Sequence, residues 1–365
     1  MNNPFDIAVI GAGMAGASVA AELAPHARVV MLEAEAQPGY HATGRSAAFW
    51  EECYGGPDVV PLTLASGPFL REHGMLSPRG ALYLGRAEDE AAVDDFMARF
   101  AGTGVDIVRL GRIGLEARIP GLASGWAYGI AEPACADIDV AALHQLYLAR
   151  ARNSGAQLRC SARAEQIERE ADGWRLVTAR SEEVRAKVVI NAAGAWADTI
   201  AQLAGAQPLG IAPLRRTVVQ LRTDPQPRDD LPLVLDIAGR FYFKPEKGRL
   251  WLSPLDETPS DPCDAAAEEW DIAVAIDRLQ GVVDWRIEAV EHKWAGLRSF
   301  APDRLPVYGY DAAVPDFFWF AGQGGFGIQT APAAARLGAQ LLLGMLPDAM
   351  TAGIDPTLYS PTRFA

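Results

Sequence analysis

The chain has 365 residues, half of them hydrophobic, with 33 basic against 46 acidic side chains and a formal charge of −13. That length exceeds one simple core, so two intertwined domains are expected, and the negative charge opposes nonspecific attraction to nucleic acid or to an anionic membrane surface. No run of about eighteen apolar residues occurs, and the first residues enter an apolar strand without a basic leader, so the expectation is a cytoplasmic protein with no integral membrane segment.

Residues 7–10 predict a short buried strand, Gly11-Ala-Gly13-Met-Ala-Gly16 a glycine turn opening an apolar helix, and Arg28-Val-Val-Met-Leu-Glu33 a second strand ending in an acid. That succession is a dinucleotide site: Gly11 permits the tight turn, Gly13 lets the backbone approach a pyrophosphate, and Gly16 lets helix and strand pack closely. Glu33 falls about twenty residues past Gly13, where a carboxylate meets ribose hydroxyls, and it would repel a 2′-phosphate.

Beyond the opening, residues 39–56 are rich in glycine, residues 88–100 predict short helical stretches, and residues 139–152 an amphipathic helix. Residues 188–191 predict a buried strand flowing into Ala192-Ala-Gly194-Ala-Trp196, a further phosphate-side turn. From 211 to 252 apolar and polar residues alternate between turns, the pattern of antiparallel strands. Asp264 is placed to cap a helix running to Leu279. A buried aromatic strand, residues 317–320, leads through Gly322-Gln-Gly-Gly325 into an alanine-rich helix from about 326 to 343. The cysteines (Cys53, Cys135, Cys160, Cys263) and five histidines are dispersed without paired spacing, which argues for reduced thiols and against a metal site. The fold class expected is α/β, a Rossmann-type nucleotide-binding domain from residues 1–75, 133–206 and 297–365, with a mixed-sheet α+β substrate domain from 76–132 and 207–296.

The opening fingerprint, Gly44-Arg-Ser-Ala-Ala48, Asn191-Ala-Ala-Gly-Ala-Trp196 and Gly322-Gln-Gly-Gly-Phe-Gly327 occur in the order seen in the FAD-dependent D-amino-acid oxidase superfamily, which the chain resembles nearly end to end. Within it the chain looks most like the bacterial D-arginine and D-amino-acid dehydrogenases, through Gln37-Pro-Gly-Tyr-His41, Thr43-Gly-Arg-Ser-Ala-Ala48, Ala136-Asp-Ile-Asp139, Trp294-Ala-Gly-Leu-Arg-Ser-Phe300 and Gln323-Gly-Gly-Phe-Gly-Ile-Gln-Thr330. The resemblance implies noncovalent FAD. It sets Gly11, Gly13, Ala15 and Gly16 at the pyrophosphate, Glu33 and Ala34 at the ribose, and Ala42, Thr43, Gly44, Arg45, Ser46, Ala47 and Ala48 along the diphosphate and flavin. Ala193, Gly194, Trp196 and Gly296 complete the cofactor set, and Gly324, Gly325, Phe326, Gly327, Ile328, Gln329 and Thr330 approach the ring. A helix starting just after Gly325 would aim its positive end at a reduced flavin. His41 stands where dimethylglycine-oxidising relatives attach flavin covalently, but the closer resemblance carries this histidine with noncovalent FAD.

The same resemblance assigns a substrate carboxylate to Arg298 and Arg216, with Tyr242 and Tyr54 lining the pocket beside Phe49, Trp50, Ala81 and Gly325. A guanidinium fork meets a carboxylate through two parallel charge-assisted hydrogen bonds. In a strand, Arg215 and Arg216 must face opposite ways, so at most one reaches a given pocket. A salt bridge remains the other reading of Arg216, an exposed strand position that of Tyr242, and core packing that of Phe49 and Trp50. Two departures bear on specificity: Phe49 replaces a histidine of the D-arginine dehydrogenases, and Ser77-Pro-Arg-Gly-Ala81 lacks the glutamate that holds a guanidinium there. A cationic side chain would lie buried without its counter-ion, so the expected activity is oxidation of a D-amino acid with an uncharged, apolar side chain to the imino and then the 2-oxo acid, by hydride transfer to flavin N5. The alternatives are a 2-hydroxy acid or secondary amine on the same scaffold, or a binding protein merely stabilised by flavin. The electron acceptor (oxygen, a quinone or a dye) is left open by the sequence.

Overall fold

The computed structural model describes residues 4–47 and 49–365. Its first sheet has eight strands built around Phe5–Ile10, which lies parallel to Val29–Leu32 on one side and to Glu183–Asn191 on the other, with Ile10 opposite both Leu32 and Asn191. Gln157–Arg159 extends it past Val29–Leu32, and Phe317–Ala321 joins Glu183–Asn191 in parallel. Start, middle and end of the chain therefore share one Rossmann-type sheet. Every residue of Val29–Leu32 and Phe317–Ala321 is buried, because a parallel sheet is covered on both faces. Helices Met14–Leu23, Val140–Asn153 and Ala331–Leu343 cover one face through Val9, Ile190, Phe318 and Phe320, while Ala197, Ile200, Trp174 and Trp319 pack on the other. Among the described residues no helix is long and apolar enough to cross a membrane.

The second sheet has ten strands, and its spine is the antiparallel ladder between Ala212–Asp224 and Arg286–Phe300. Register pairs Leu214 with Arg298, Arg215 with Leu297 and Arg216 with Gly296. Since side chains alternate along a strand, Arg216 and Arg298 share one face, and Arg215 points away to Glu268 and Asp271. Leu233–Asp236 ties Ala81–Arg86 into the same sheet in parallel. A three-stranded sheet, Phe49–Trp50, Ala136–Ile138 and Leu76–Pro78, spans between the two large ones.

Several predicted elements recur with shifted ends. The helix predicted over 139–152 is Val140–Asn153, capped by the Asp139 carboxylate, which accepts the Ala142 amide at 2.9 Å. The predicted stretch at 88–100 divides into a turn, Ala87–Asp89, and the helix Glu90–Phe100. Two expectations are corrected. The last long helix begins at Ala331 rather than 326, because Phe326 is drawn into an apolar cluster with Val59 and Phe300 that holds residues 325–330 in a turn. Asp264 caps nothing: the helix near it is Glu269–Gln280, and its carboxylate is bonded instead to Arg45 and Tyr40.

Candidate active site

A cleft of about 460 Å³ runs past the carboxyl ends of the first sheet's strands and along the second sheet's inner face, the position where open α/β sheets bind nucleotides. Gly11 sits at φ +97°, and a Cβ there would lie 2.5 Å from the Ala192 carbonyl oxygen. A Cβ on Gly16 would collide with the Gly11 carbonyl, so strand and helix close on each other only because both are glycine. The turn is braced by three side chains. Glu33 accepts the Ala12 and Glu35 amides at 2.8 and 2.9 Å, Thr43 Oγ1 accepts the Met14 amide at 2.9 Å, and His144 Nε2 donates to the Ala12 carbonyl at 2.9 Å. Burial lowers the pKa of His144, which keeps it a neutral donor. The amides of Ala15 and Gly16, in the helix's first turn, have no intrahelical acceptor.

At the far end of the cleft Arg298, Arg216 and Tyr242 line its wall. Beside them a recess of about 20 Å³ is bounded by Ala47, Phe49, Tyr54, Tyr242, Arg298, Gly325, Ile328 and Gln329. Phe49 meets Tyr242 edge-on at 5.6 Å and Tyr54 at 6.4 Å. Arg298 Nη1 donates to the Tyr54 hydroxyl at 2.7 Å, which leaves that hydroxyl's own proton to give away. Among the described residues Arg298 takes part in no ion pair, whereas Arg216 donates to the Asp256 carbonyl at 2.8 Å and pairs with Glu257 at 3.2 Å. The Arg216 Nη1 is buried without an acceptor. Burial, then the neighbouring Arg298 charge, pulls the Arg216 pKa down to about 10, so its guanidinium is still charged at neutral pH. Burial pushes the Tyr242 hydroxyl up and keeps it protonated.

Of the residues expected at the cofactor, Gly11, Gly13, Ala15, Glu33, Ala34, Ala42, Thr43, Arg45, Ser46, Ala47, Ala193, Gly194, Trp196, Gly296, Gly324, Gly325, Gly327 and Ile328 line the cleft. Gln329 lines only the recess; Gly16 and Gly44 serve backbone packing; Ala48 lies outside the described residues. Phe326 and Thr330 are corrections: the first is buried in its apolar cluster, and the hydroxyl of the second returns to the Phe326 carbonyl. In the pocket set Phe49 and Gly325 border the recess, while Trp50 and Ala81 do not. Trp50, next along the strand, turns to the opposite side beneath Arg71, and Ala81 is 3% exposed within its sheet. The glycine at 325 is required by its surroundings, since a Cβ there would strike the Tyr54 hydroxyl and come within 3.0 Å of Arg298 Cζ. Both obstacles are ends of side chains, so Gly325→Ala is expected to fold and keep its cofactor yet raise KM about tenfold, a separation that steady-state kinetics beside flavin absorbance will read.

The sequence reading missed a buried acidic group behind the recess. Glu51 is fully buried, takes the Tyr83 hydroxyl as a hydrogen-bond donor, and leaves its Oε2 unpartnered. Glu132 accepts the Glu52 amide at 2.6 Å and the Cys53 amide at 3.4 Å. Ligand atoms of Glu51, Cys53 and Glu132 lie within 4.8 Å of one another. Burial, with Glu132 nearby, holds the Glu51 carboxyl well above the usual range, and burial raises Glu132 as well. Amide donors favour charge on Glu132, and Glu51 has none, so the shared proton belongs on Glu51. A raised folded pKa means that the native state binds more protons than the unfolded chain, so this stability is complete below about pH 4.5 and is lost as pH climbs through the folded value. Glu51→Gln should flatten the fall of unfolding free energy above that pH, by up to about 1.4 kcal/mol per pH unit, as chemical denaturation at stepped pH would measure.

A model of FAD dependent oxidoreductases, DAO, matches residues 6–341. The chain belongs to that family. A glycine oxidase of Pseudomonas aeruginosa is 32% identical over 202 residues, which cover 52% of this chain and 50% of that protein. The chain thus spans about half the length, or less, of the curated relatives it matches. Among solved structures, glycine oxidase from Geobacillus kaustophilus superposes with a TM-score of 0.84 at 24% identity, covering 99% of both chains. L-Proline dehydrogenase from P. horikoshii gives 0.85 at 21% identity, covering 100% of this chain and 98% of that one. The cleft suits the family's cofactor: a tight glycine turn under unpaired helix amides for a pyrophosphate, a carboxylate at the second strand's end for a ribose, and glycines where side chains would fill the far end.

Proposed function

We propose that the chain oxidises a small D-amino acid with an uncharged side chain to its imino acid, which water converts to the 2-oxo acid and ammonia. The observation that carries this reading is Arg298, a guanidinium free of carboxylate partners in an aromatic recess. One uncompensated cation fits one carboxylate; Arg216, already paired with Glu257, offers only its orphaned Nη1 as a further donor. Tyr54 and Tyr242 hold hydroxyl donors toward the same anion. The recess has room for about one water or a methyl group, and among the described residues no carboxylate borders it to receive a cationic side chain, so desolvation disfavours arginine and lysine.

Bound FAD supplies the two-electron acceptor. The protein supplies position: the guanidinium fork fixes the carboxylate, and Phe49 and Ile328 exclude water from the reacting carbon. Among the described residues no histidine or acid lines the recess, so the substrate amine gives its proton to solvent, or through Tyr54. The imidazole of His41 lines the cleft, but there it is bonded to Glu35 at 3.0 Å and packed on Trp196, contacts that support noncovalent FAD.

The size of the recess also favours a second reading, a small secondary amine such as sarcosine or proline, the latter in line with the name of the L-proline dehydrogenase. Anaerobic mixing with D-alanine, D-arginine, glycine, sarcosine, L-proline and a 2-hydroxy acid, followed by flavin absorbance, separates these. Fastest bleaching by D-alanine is expected. Preference for sarcosine or proline would transfer the reading to amines, and a flavin left oxidised by every compound would reduce the protein to a binder.

A further inference from the structure

We infer that residues 260–268 form a strap over the FAD cleft, caught on the opposite wall by Asp264, and that release of this catch limits how fast the cofactor leaves. The inference rests on FAD as cofactor but not on any substrate.

The strap is irregular chain between the short strand Thr258–Pro259 and the helix Glu269–Gln280. Its Cys263 and Ala265 line the cleft, as do Tyr40 and Arg45 from the facing turn. The two walls meet through one group of contacts. Arg45 donates to the Asp264 carboxylate and, at 2.8 Å, to the Ala265 carbonyl, and the Tyr40 hydroxyl donates to Asp264 Oδ2 at 3.0 Å. At the strap's ends, Ser260 is tied to the Pro213 carbonyl and Glu268 to Arg215. Between those ends, no other hydrogen bond among the described residues joins it to the cleft's far wall.

The two halves of the catch differ in exposure and in support. Arg45 is fixed from behind by the Ala295 carbonyl at 3.2 Å, its own carbonyl accepts the Trp294 indole at 2.9 Å, and its guanidinium lies 5.0 Å over the Tyr40 ring. Its side chain is 15% exposed, that of Asp264 61%. A seated cation thus receives an exposed anion reaching in from irregular chain. The Arg45 guanidinium, with Tyr40, holds the Asp264 carboxyl below the usual range, so the catch is charged at neutral pH and open to screening by salt. A dinucleotide held in this cleft would lie against Cys263 and Ala265 and would pass the strap in leaving.

The test follows FAD fluorescence on dilution of the holoenzyme, without substrate, for the unaltered protein, Asp264→Asn and Tyr40→Phe, at about 0.01 M and about 1 M salt. Asp264→Asn should release FAD about five- to tenfold faster at low salt, and Tyr40→Phe less so. Salt should speed release from the unaltered enzyme toward the Asn variant's rate and leave that variant unchanged. Equal rates at low salt, or the same salt dependence in both, would overturn the proposal. The unaltered enzyme and Tyr40→Phe keep it testable should Asp264→Asn fold poorly: release from the unaltered enzyme indifferent to salt also refutes it.

Discussion

Arg298→Met is expected to raise KM for the amino acid by about 10²–10³-fold while the purified protein stays yellow. Each factor of ten corresponds to about 1.4 kcal/mol, so the loss amounts to roughly 3–4 kcal/mol, the range for removing one member of a buried, hydrogen-bonded charge pair. The residue is well suited to the test because no carboxylate of the protein depends on it: its hydrogen bond goes to the Tyr54 hydroxyl. Arg298→Lys should recover little, since an ammonium cannot present two parallel donors. Steady-state kinetics beside a flavin spectrum decides the matter, and an unchanged KM removes Arg298 from the carboxylate site.

Gly11→Ala should abolish retention of FAD. The new methyl group would meet the carbonyl oxygen of Ala192 at 2.5 Å, a residue whose amide is tied to the Ile10 carbonyl at 3.0 Å, and residue 11 would also have to keep φ +97°. Strain of about 1–3 kcal/mol from the dihedral alone adds to the steric term, and relief by rotation swings the turn into the space of the pyrophosphate. Isolation as colourless protein, with a Kd for added FAD at least about a hundredfold higher, is the expected result. Flavin held at the unaltered affinity would mean that the turn does not carry the cofactor.

The nucleotide half was legible because its signals are local. Strand, glycine turn, helix and acid follow within thirty residues, and each step restricts the next. The errors arose where distant residues decide the outcome. Phe326 belongs to an alanine-rich helical pattern, yet Val59 and Phe300 take its ring and delay the helix by five residues. Asp264 carries a cap's chemistry, but Arg45, more than two hundred residues earlier, claims it. The Glu51–Glu132 pair leaves no trace in the sequence, being 81 positions apart and created by burial and mutual proximity in the fold. Trp50 is different: strand alternation alone could have turned it away from Phe49's side, as it did Arg215 from Arg216.

The ladder that carries the two arginines also governs where the gene can tolerate insertions. Between Ala212 and Gln220 its pairing with Arg286–Phe300 is unbroken, whereas irregularities already interrupt it at Gln220/Leu221 and Arg222/Thr223. One added codon near the second site can be absorbed as a wider bulge. The same codon ahead of Arg215 would exchange one face for the other, swinging Arg215 into the cleft away from Glu268 and turning Arg216 out of it toward the side of Glu268 and Asp271. The catalytic half thus depends on a frame counted in single residues, and length variation among relatives should gather at the distal end of these strands.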